Sequence, residues 1–540
     1  MPTWRLILTA LCVCIAVQGC SGSEPAPAPD AGGVEDAGSD SGTEPVDAGN
    51  DGGPSGTDGG TPGPNAVRVT RLIRDLTGDA PQEQPWVFPP DSLELFVVEG
   101  ESFVEIPGAP GAPGEYVFPD VPRVTYYLRE GLTWVVTSER QVDLGYNKTF
   151  RDDIEYPENG SWARLSLGGL EPWHARSDTP QGPQRLPPYS RLDLISDELG
   201  SRSSFLFLSM REGDTHVYQE TDVATMPQVE AARGDRMRVV QSSPRELGPL
   251  PDGGVQRYLA AVRAHHLAPV SHDGSQPLNI SGELLPLPMQ EVALDWRRPA
   301  FEPLAAAVHP TASPNSAHLG LRAASPEPAI EGQRGPSSEL ATLGMAADGF
   351  ADVSGTLVYG NPSSRLPGAL AVITLSFDVP VELPGEAPFN MWATITIQER
   401  PSQLASGPLT PRVEPPRALT LDGTEAYSPR TLAAGTHVLA WQPPRSGAPD
   451  AYLVRLLWFE PGVLNVIPGS IMSIYLDGSA TSVRVPPGGL QRGWHHRFSV
   501  EAIVSEGFSP SKRPQSIGSR YIISRAPTLS GLLSVPAQAP

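Results

Sequence analysis

Cysteine is almost missing from this chain: Cys12, Cys14 and Cys20 are the only three in 540 residues. Everything after Cys20 therefore has no disulfide, no thiol nucleophile and no Cys-ligated metal. Basic patches are missing too. The formal net charge is −22, which argues against nucleic-acid binding, because that needs clustered cations to replace counterions. No Gly-x-Ser-x-Gly elbow, His-Glu-x-x-His pair or phosphate loop occurs. Long hydrophobic runs are also lacking. The longest, Leu6–Val17, falls short of the ~20 apolar residues that a spanning helix needs. With 61 prolines and 54 glycines, long helices are disfavoured and short strands between turns are favoured.

What is present begins with an export signal: Arg5, the apolar run, then small or polar residues before a cysteine. Val17-Gln18-Gly19-Cys20 resembles the bacterial lipobox, although Gln18 is not the commonest residue at its position. The resemblance implies cleavage between Gly19 and Cys20 and acylation of Cys20. It also implies a membrane leaflet as partner, since each buried methylene contributes ~0.8 kcal/mol. Ser21 lacks the acidic character that retains bacterial lipoproteins at the inner membrane, so the expected location is the outer membrane, facing either the periplasm or the outside.

Residues 21–66 carry nine acids, no base and no aromatic, with Val34 and Val46 as the only branched aliphatics. Such a segment cannot bury enough apolar surface to offset chain entropy and is expected to be a disordered tether. From Val67 to about residue 151, strand-length apolar stretches alternate with Pro/Gly turns. Within them, Gly114-Glu115-Tyr116-Val117-Phe118-Pro119-Asp120-Val121-Pro122 followed by Tyr126-Tyr127-Leu128 resembles the hairpin of the carboxypeptidase regulatory-like or transthyretin-like sandwich, a binding accessory.

Residues 152–412 keep the strand pattern and resemble no family. Val255–His266 fits a helix or a strand equally, and the Ala/Pro/Ser-rich Pro310–Ser337 reads as a long loop separating units 152–310 and 311–412. From Val413 to Ala526 the pattern sharpens. Val438-Leu439-Ala440-Trp441-Gln442-Pro443-Pro444, and Leu490 to Ala502 with its Gly493-Trp494-His495-His496-Arg497-Phe498 core, are similar to the second strand and the corner of a fibronectin type III domain. Two positions depart from that family: Arg492 stands where Pro is usual, and His496 stands where the corner Tyr sits. His496 can replace the hydroxyl with a ring N–H to a backbone carbonyl. Residues 527–540 read as a tail.

Candidate chemistry is sparse. His265-His266 with His272-Asp273 is the densest metal-like group, but adjacent histidines on a strand point to opposite faces, and a turn before Pro269 explains them equally well. Arg233-Gly234-Asp235 matches the integrin tripeptide, which a common Gly-Asp turn also produces. Paired acids such as Asp152-Asp153 and Asp197-Glu198 read as solvated faces, since a catalytic pair is defined by separation in space. Most tryptophans are expected in cores. Trp173 and Trp494, each beside a His and near turn residues, are the candidates for a ligand-binding surface.

The expectation is an all-β chain: signal 1–19, lipidated Cys20 and tether 20–66, then tandem β-sandwich units. The function expected is a non-enzymatic, lipid-anchored extracytoplasmic protein presenting binding or structural modules to an envelope protein or glycan, with no cofactor and no metal. The competing expectation is a carbohydrate-active enzyme, or its accessory subunit, with a groove inside 152–412.

Overall fold

The computed structural model describes residues 63–537 except 78–80, 152, 158–159, 177–187, 207, 250–253, 326–337, 347–351, 434, 460–468 and 520–522. Cys20 and the expected tether up to residue 62 therefore lie outside the described residues; its last four residues, 63–66, are described, with Ala66 buried and the Asn65 carbonyl accepting from the Val121 N–H. About 52% of the structure is strand and 5% helix, so the fold is all-β sandwich.

The first sandwich pairs two sheets. One contains Val67–Thr70, Glu115–Phe118 and Gln141–Asp143; the other runs Ser102–Ile106, Glu94–Glu99, Tyr126–Glu130, Thr133–Thr137. Alternation builds it. Val67 and Val69, Leu95 and Val97, and Tyr116 and Phe118 all face one core, as period-2 side-chain placement requires. The two strands of the predicted hairpin form, as Glu115–Phe118 and Tyr126–Glu130, but they are not paired: the intervening turn carries the chain from one sheet to the other, because Tyr116 and Phe118 pair toward Val67–Thr70 and Tyr126–Leu128 toward Glu94–Glu99.

A second core lies between a three-stranded sheet (Val217–Val223, Ser161–Gly168, Leu278–Glu283) and the ladder Ser201–Ser204, Arg191–Ser196, Arg238–Pro249, Val255–His266. Val255–His266 is thus a strand throughout, paired with Arg238–Pro249 along its length. Its apolar content is nearly continuous because Tyr258 to Val262 are all buried, as in a strand covered on both faces.

The third unit is built on Glu339–Ala346, Ser313–Ala324, Gly368–Val381 and Phe389–Glu399. Here the sequence reading needs correction, because Pro310–Ser337 is not one long loop. Ser313–Ala324 is a strand with partners on both sides, and Ala317, Leu319, Leu321 and Ala323 bury one face of it.

In the last unit, Trp441 of Val438–Gln442 packs edge-on against Tyr452, with ring centroids 5.2 Å apart. The facing sheet runs Gly469–Asp477, Ala451–Phe459, His495–Val504, Ile523–Leu529. The supposed tail from residue 527 begins inside Ile523–Leu529, and Leu533–Ser534 pairs with both Arg430–Thr431 and His495–His496. His496 occupies the corner as expected: it is fully buried, and its Nε2 lies 3.1 Å from both the carbonyl oxygen and the amide nitrogen of Gln491.

These units share one hydrogen-bonded ladder, part of a 19-stranded sheet. Val255–His266 pairs with Glu339–Ala346, and Phe389–Glu399 pairs with Ile523–Leu529. On the other edge of the last unit, Gly469–Asp477 runs parallel to Thr133–Thr137 of the first sandwich. A single apolar core accordingly includes Tyr127 and Trp134, Tyr258, Ile373, Ile395, Trp441 and Phe498. The first globular unit docks on the last, and Arg484 N–H reaches Tyr127 Oη at 3.3 Å across that seam.

Candidate functional site

Of the two tryptophans proposed for a ligand surface, Trp173 is not on the surface. It is 5% exposed within the second core, and its backbone bonds to Asp214 and Gly213 fix it there. Its neighbour His174 does reach outward, to Glu212 at 3.2 Å. Trp494 is half-buried and lies against Trp458, with centroids 4.5 Å apart and planes at 55°. The two indoles form a tilted pair rather than a flat platform. Trp392 is 62% exposed, an outward position that its alternation with buried Met391 and Ala393 predicts.

The other sequence candidates resolve into structure. Arg233-Gly234-Asp235 closes a 3-10 turn in which Gly234 sits at φ 87°. Asp235 is buried, accepts the Glu230 N–H at 2.7 Å and lies 3.6 Å from Arg151, so its carboxylate is committed inward. The His265 ring covers Gly282, while His272 pairs through its backbone with Val229. Among the described residues, no three His, Cys, Asp or Glu side chains converge as a ligand set. Asp197 is held by Arg238 at 2.5 Å and Ser363 Oγ at 2.6 Å.

Two polar sites stand out instead. The first is a cavity of ≈ 240 Å³ lined by Ile397, Glu399, Gln403, Gly407 and Arg412 among others. Glu399 is 2% exposed, and Arg412 closes over it in an ion pair. Burial pushes the Glu399 carboxyl above its ordinary value, against the pull of Arg412 and Arg400. The cavity has a single lining carboxylate, whereas glycoside hydrolysis needs two on opposite sides of a bond.

The second site lies on the sheet face opposite the main core, where strands from the second and third units meet. Glu339 Oε2 accepts from Arg191 at 2.5 Å and from Arg202 at 2.6 Å. Asp193 accepts from Arg202 at 3.0 Å and from Ser204 at 2.8 Å, and lies 3.1 Å from Arg191 Nε. Burial alone would raise the Glu339 carboxyl, but the two guanidiniums hold it well below the usual carboxylate range. His318 and Arg322 project from the same face of Ser313–Ala324, at i and i+4. Burial lowers the pKa of both. Sequence reasoning missed this cluster because its members are up to 148 positions apart. A local signal did exist: His318 and Arg322 are the two interruptions of the small and apolar run 317–324, where such side chains rarely stand without a partner or a purpose.

No protein-family model matches the chain, and no curated protein does. Among solved structures, a crystal structure of the chicken CNTN1 FN1-FN3 domains aligns over 70% of this chain and 98% of its own, at 8% identity and a TM-score of 0.16. A likeness that low carries no argument, so the sandwich fold rests on the strands and cores above. Among the described residues, no helix is long and apolar enough to cross a membrane.

Proposed function

We propose that this chain is a lipid-anchored extracytoplasmic protein without catalytic activity, acylated at Cys20, sorted to the outer membrane and presenting a β-sandwich body for binding or structural support. The observation that carries this reading is Val17-Gln18-Gly19-Cys20 at the end of a short apolar run, with an acidic, core-less segment after it. The body supports it: four units locked edge to edge in one ladder form a stiff object suited to holding a surface away from a membrane. Envelope proteins or glycans are the partners this design suits, with the half-buried Trp458–Trp494 pair as one contact surface.

Metabolic labelling with a radioactive fatty acid tests the anchor. The wild-type chain incorporates label and sediments with outer-membrane markers; Cys20→Ser does neither. Label or membrane association retained in Cys20→Ser, or sedimentation of the wild type with inner-membrane markers, sinks the corresponding part of the reading.

A further inference from the structure

The cluster on the sheet face has more positive than negative charge. Arg191, Arg202 and Arg322 surround Asp193 and Glu339, in a chain whose formal net charge is −22. Arg191 and Arg202 share Glu339 Oε2 and Asp193 Oδ2, Ser204 takes Asp193 Oδ1, and Glu339 Oε1 lies toward Gly320. Arg322 is the cross-strand neighbour of Glu339, yet among the described residues it makes no hydrogen bond and no ion pair. Its guanidinium is partly withdrawn from water, and the nearby charge of Glu339, with no bond to it, offsets only part of that desolvation. Its five N–H donors form a planar fork matched to carboxylate and phosphate oxygens.

The surroundings leave room and access. The strip beside Arg322 has glycines in place of side chains at Gly320 and Gly344, and a Cβ at Gly344 would meet nothing within 4 Å. His318 lines the same strip and has no hydrogen-bond partner among the described residues. The rim is open to solvent, with side-chain exposures of 31% for Arg191 and 24% for Arg202. We propose that Arg322, whose charge is the surplus over the balanced frame of Arg191, Arg202, Asp193 and Glu339, binds with His318 beside it a small oxyanion, a carboxylate or phosphate group, on this face of the central sheet. The site gives the binding role a ligand class and rests on that reading only for its purpose; it does not depend on the lipid at Cys20.

The test is thermal unfolding of the full chain in detergent, at constant ionic strength with chloride as the background salt, titrated with inorganic phosphate in one arm and acetate in the other. The expected result is a saturable rise in Tm with at least one anion. That rise is lost, or shifted at least about tenfold in midpoint concentration, in Arg322→Gln, and partly restored in Arg322→Lys. Arg129→Gln, which removes an exposed cation paired with Glu94, gives the wild-type response. Which arm responds assigns the oxyanion type. Without added anion, Arg322→Gln melts at or above the wild-type temperature, because it removes an incompletely compensated charge. The proposal is overturned if neither anion raises the wild-type Tm, if Arg322→Gln responds like the wild type, or if Arg129→Gln loses the response equally. A lower anion-free Tm in Arg322→Gln also counts against it, as that reveals a structural partner.

Discussion

Two buried glutamates in this molecule respond in opposite directions. Glu339 and Glu399 both end up inside the fold, and burial alone pushes both carboxyls upward. Glu339 receives two guanidiniums at hydrogen-bond distance, from strands that pack around it, and stays ionised far into acid. Glu399 forms its one ion pair with Arg412, whose side chain is 43% exposed, with Arg400 adding a weaker pull, and its pKa rises instead. The comparison shows that burial does not fix a carboxyl's charge. The number of desolvated donors brought to it does.

The sharpest way to break the comparison is to neutralise each glutamate. Glu339→Gln removes a carboxylate that both guanidiniums share and leaves Asp193 as their remaining partner, so it should cost ~2 kcal/mol, within the range for losing charge-assisted hydrogen bonds. Urea unfolding followed by tryptophan fluorescence measures it. A loss as small as that of Glu399→Gln would show that the cluster is not a unit.

The pH dependence gives the next contrast. Because the folded-state pKa of Glu339 lies below its ordinary 4.5, the unfolded chain binds the extra proton. Its contribution is present above that value and is lost as pH falls through the folded pKa. Glu399 has the reverse linkage: raised above 4.5, it contributes most below that value and loses its contribution as pH rises through the folded pKa. The gap between wild type and Glu339→Gln should therefore widen from about pH 3 to pH 6, while the wild type should lose ground to Glu399→Gln. Parallel profiles would show that the two sites have the same sign.

The smallest effect is expected at the rim. Glu399→Gln should cost about 1 kcal/mol or less, since the freed Arg412 can turn to water, and Arg412→Gln should cost little more, since the buried Glu399, its pKa already raised, takes up a proton in place of its partner. A loss above ~2 kcal/mol in either would mean that the cavity is a structural linchpin.

How much of this was legible beforehand depends on the length scale. The strand through Tyr116 and Phe118, the buried Trp441 and the His496 corner are all readable, because each is encoded by residues within a few positions of one another, whereas the pairing of that strand is not: Tyr126–Glu130 joins the opposite sheet. The small residues of Ser313–Ala324 suggest a loop, although Ala317, Leu319, Leu321 and Ala323 alternate as a strand requires. The turn residues near Trp173 suggest a surface position for it. It is the facing sheet, absent from any local window, that covers it. Glu339 and Glu399 look alike in the sequence, and nothing near either predicts their different surroundings.

The sequence alone determined the all-β character of this protein, because period-2 burial and Pro/Gly punctuation are local properties of the chain. It determined the absence of thiol chemistry after Cys20 and the acidity of the whole. Tertiary structure decided which edges meet: Thr133–Thr137 beside Gly469–Asp477, Val255–His266 beside Glu339–Ala346, and Arg191 and Arg202 around Glu339. A strand edge presents the same backbone donors and acceptors whatever its side chains. The choice of partner is left to the packing of distant faces, and the charged cluster is created only by that choice.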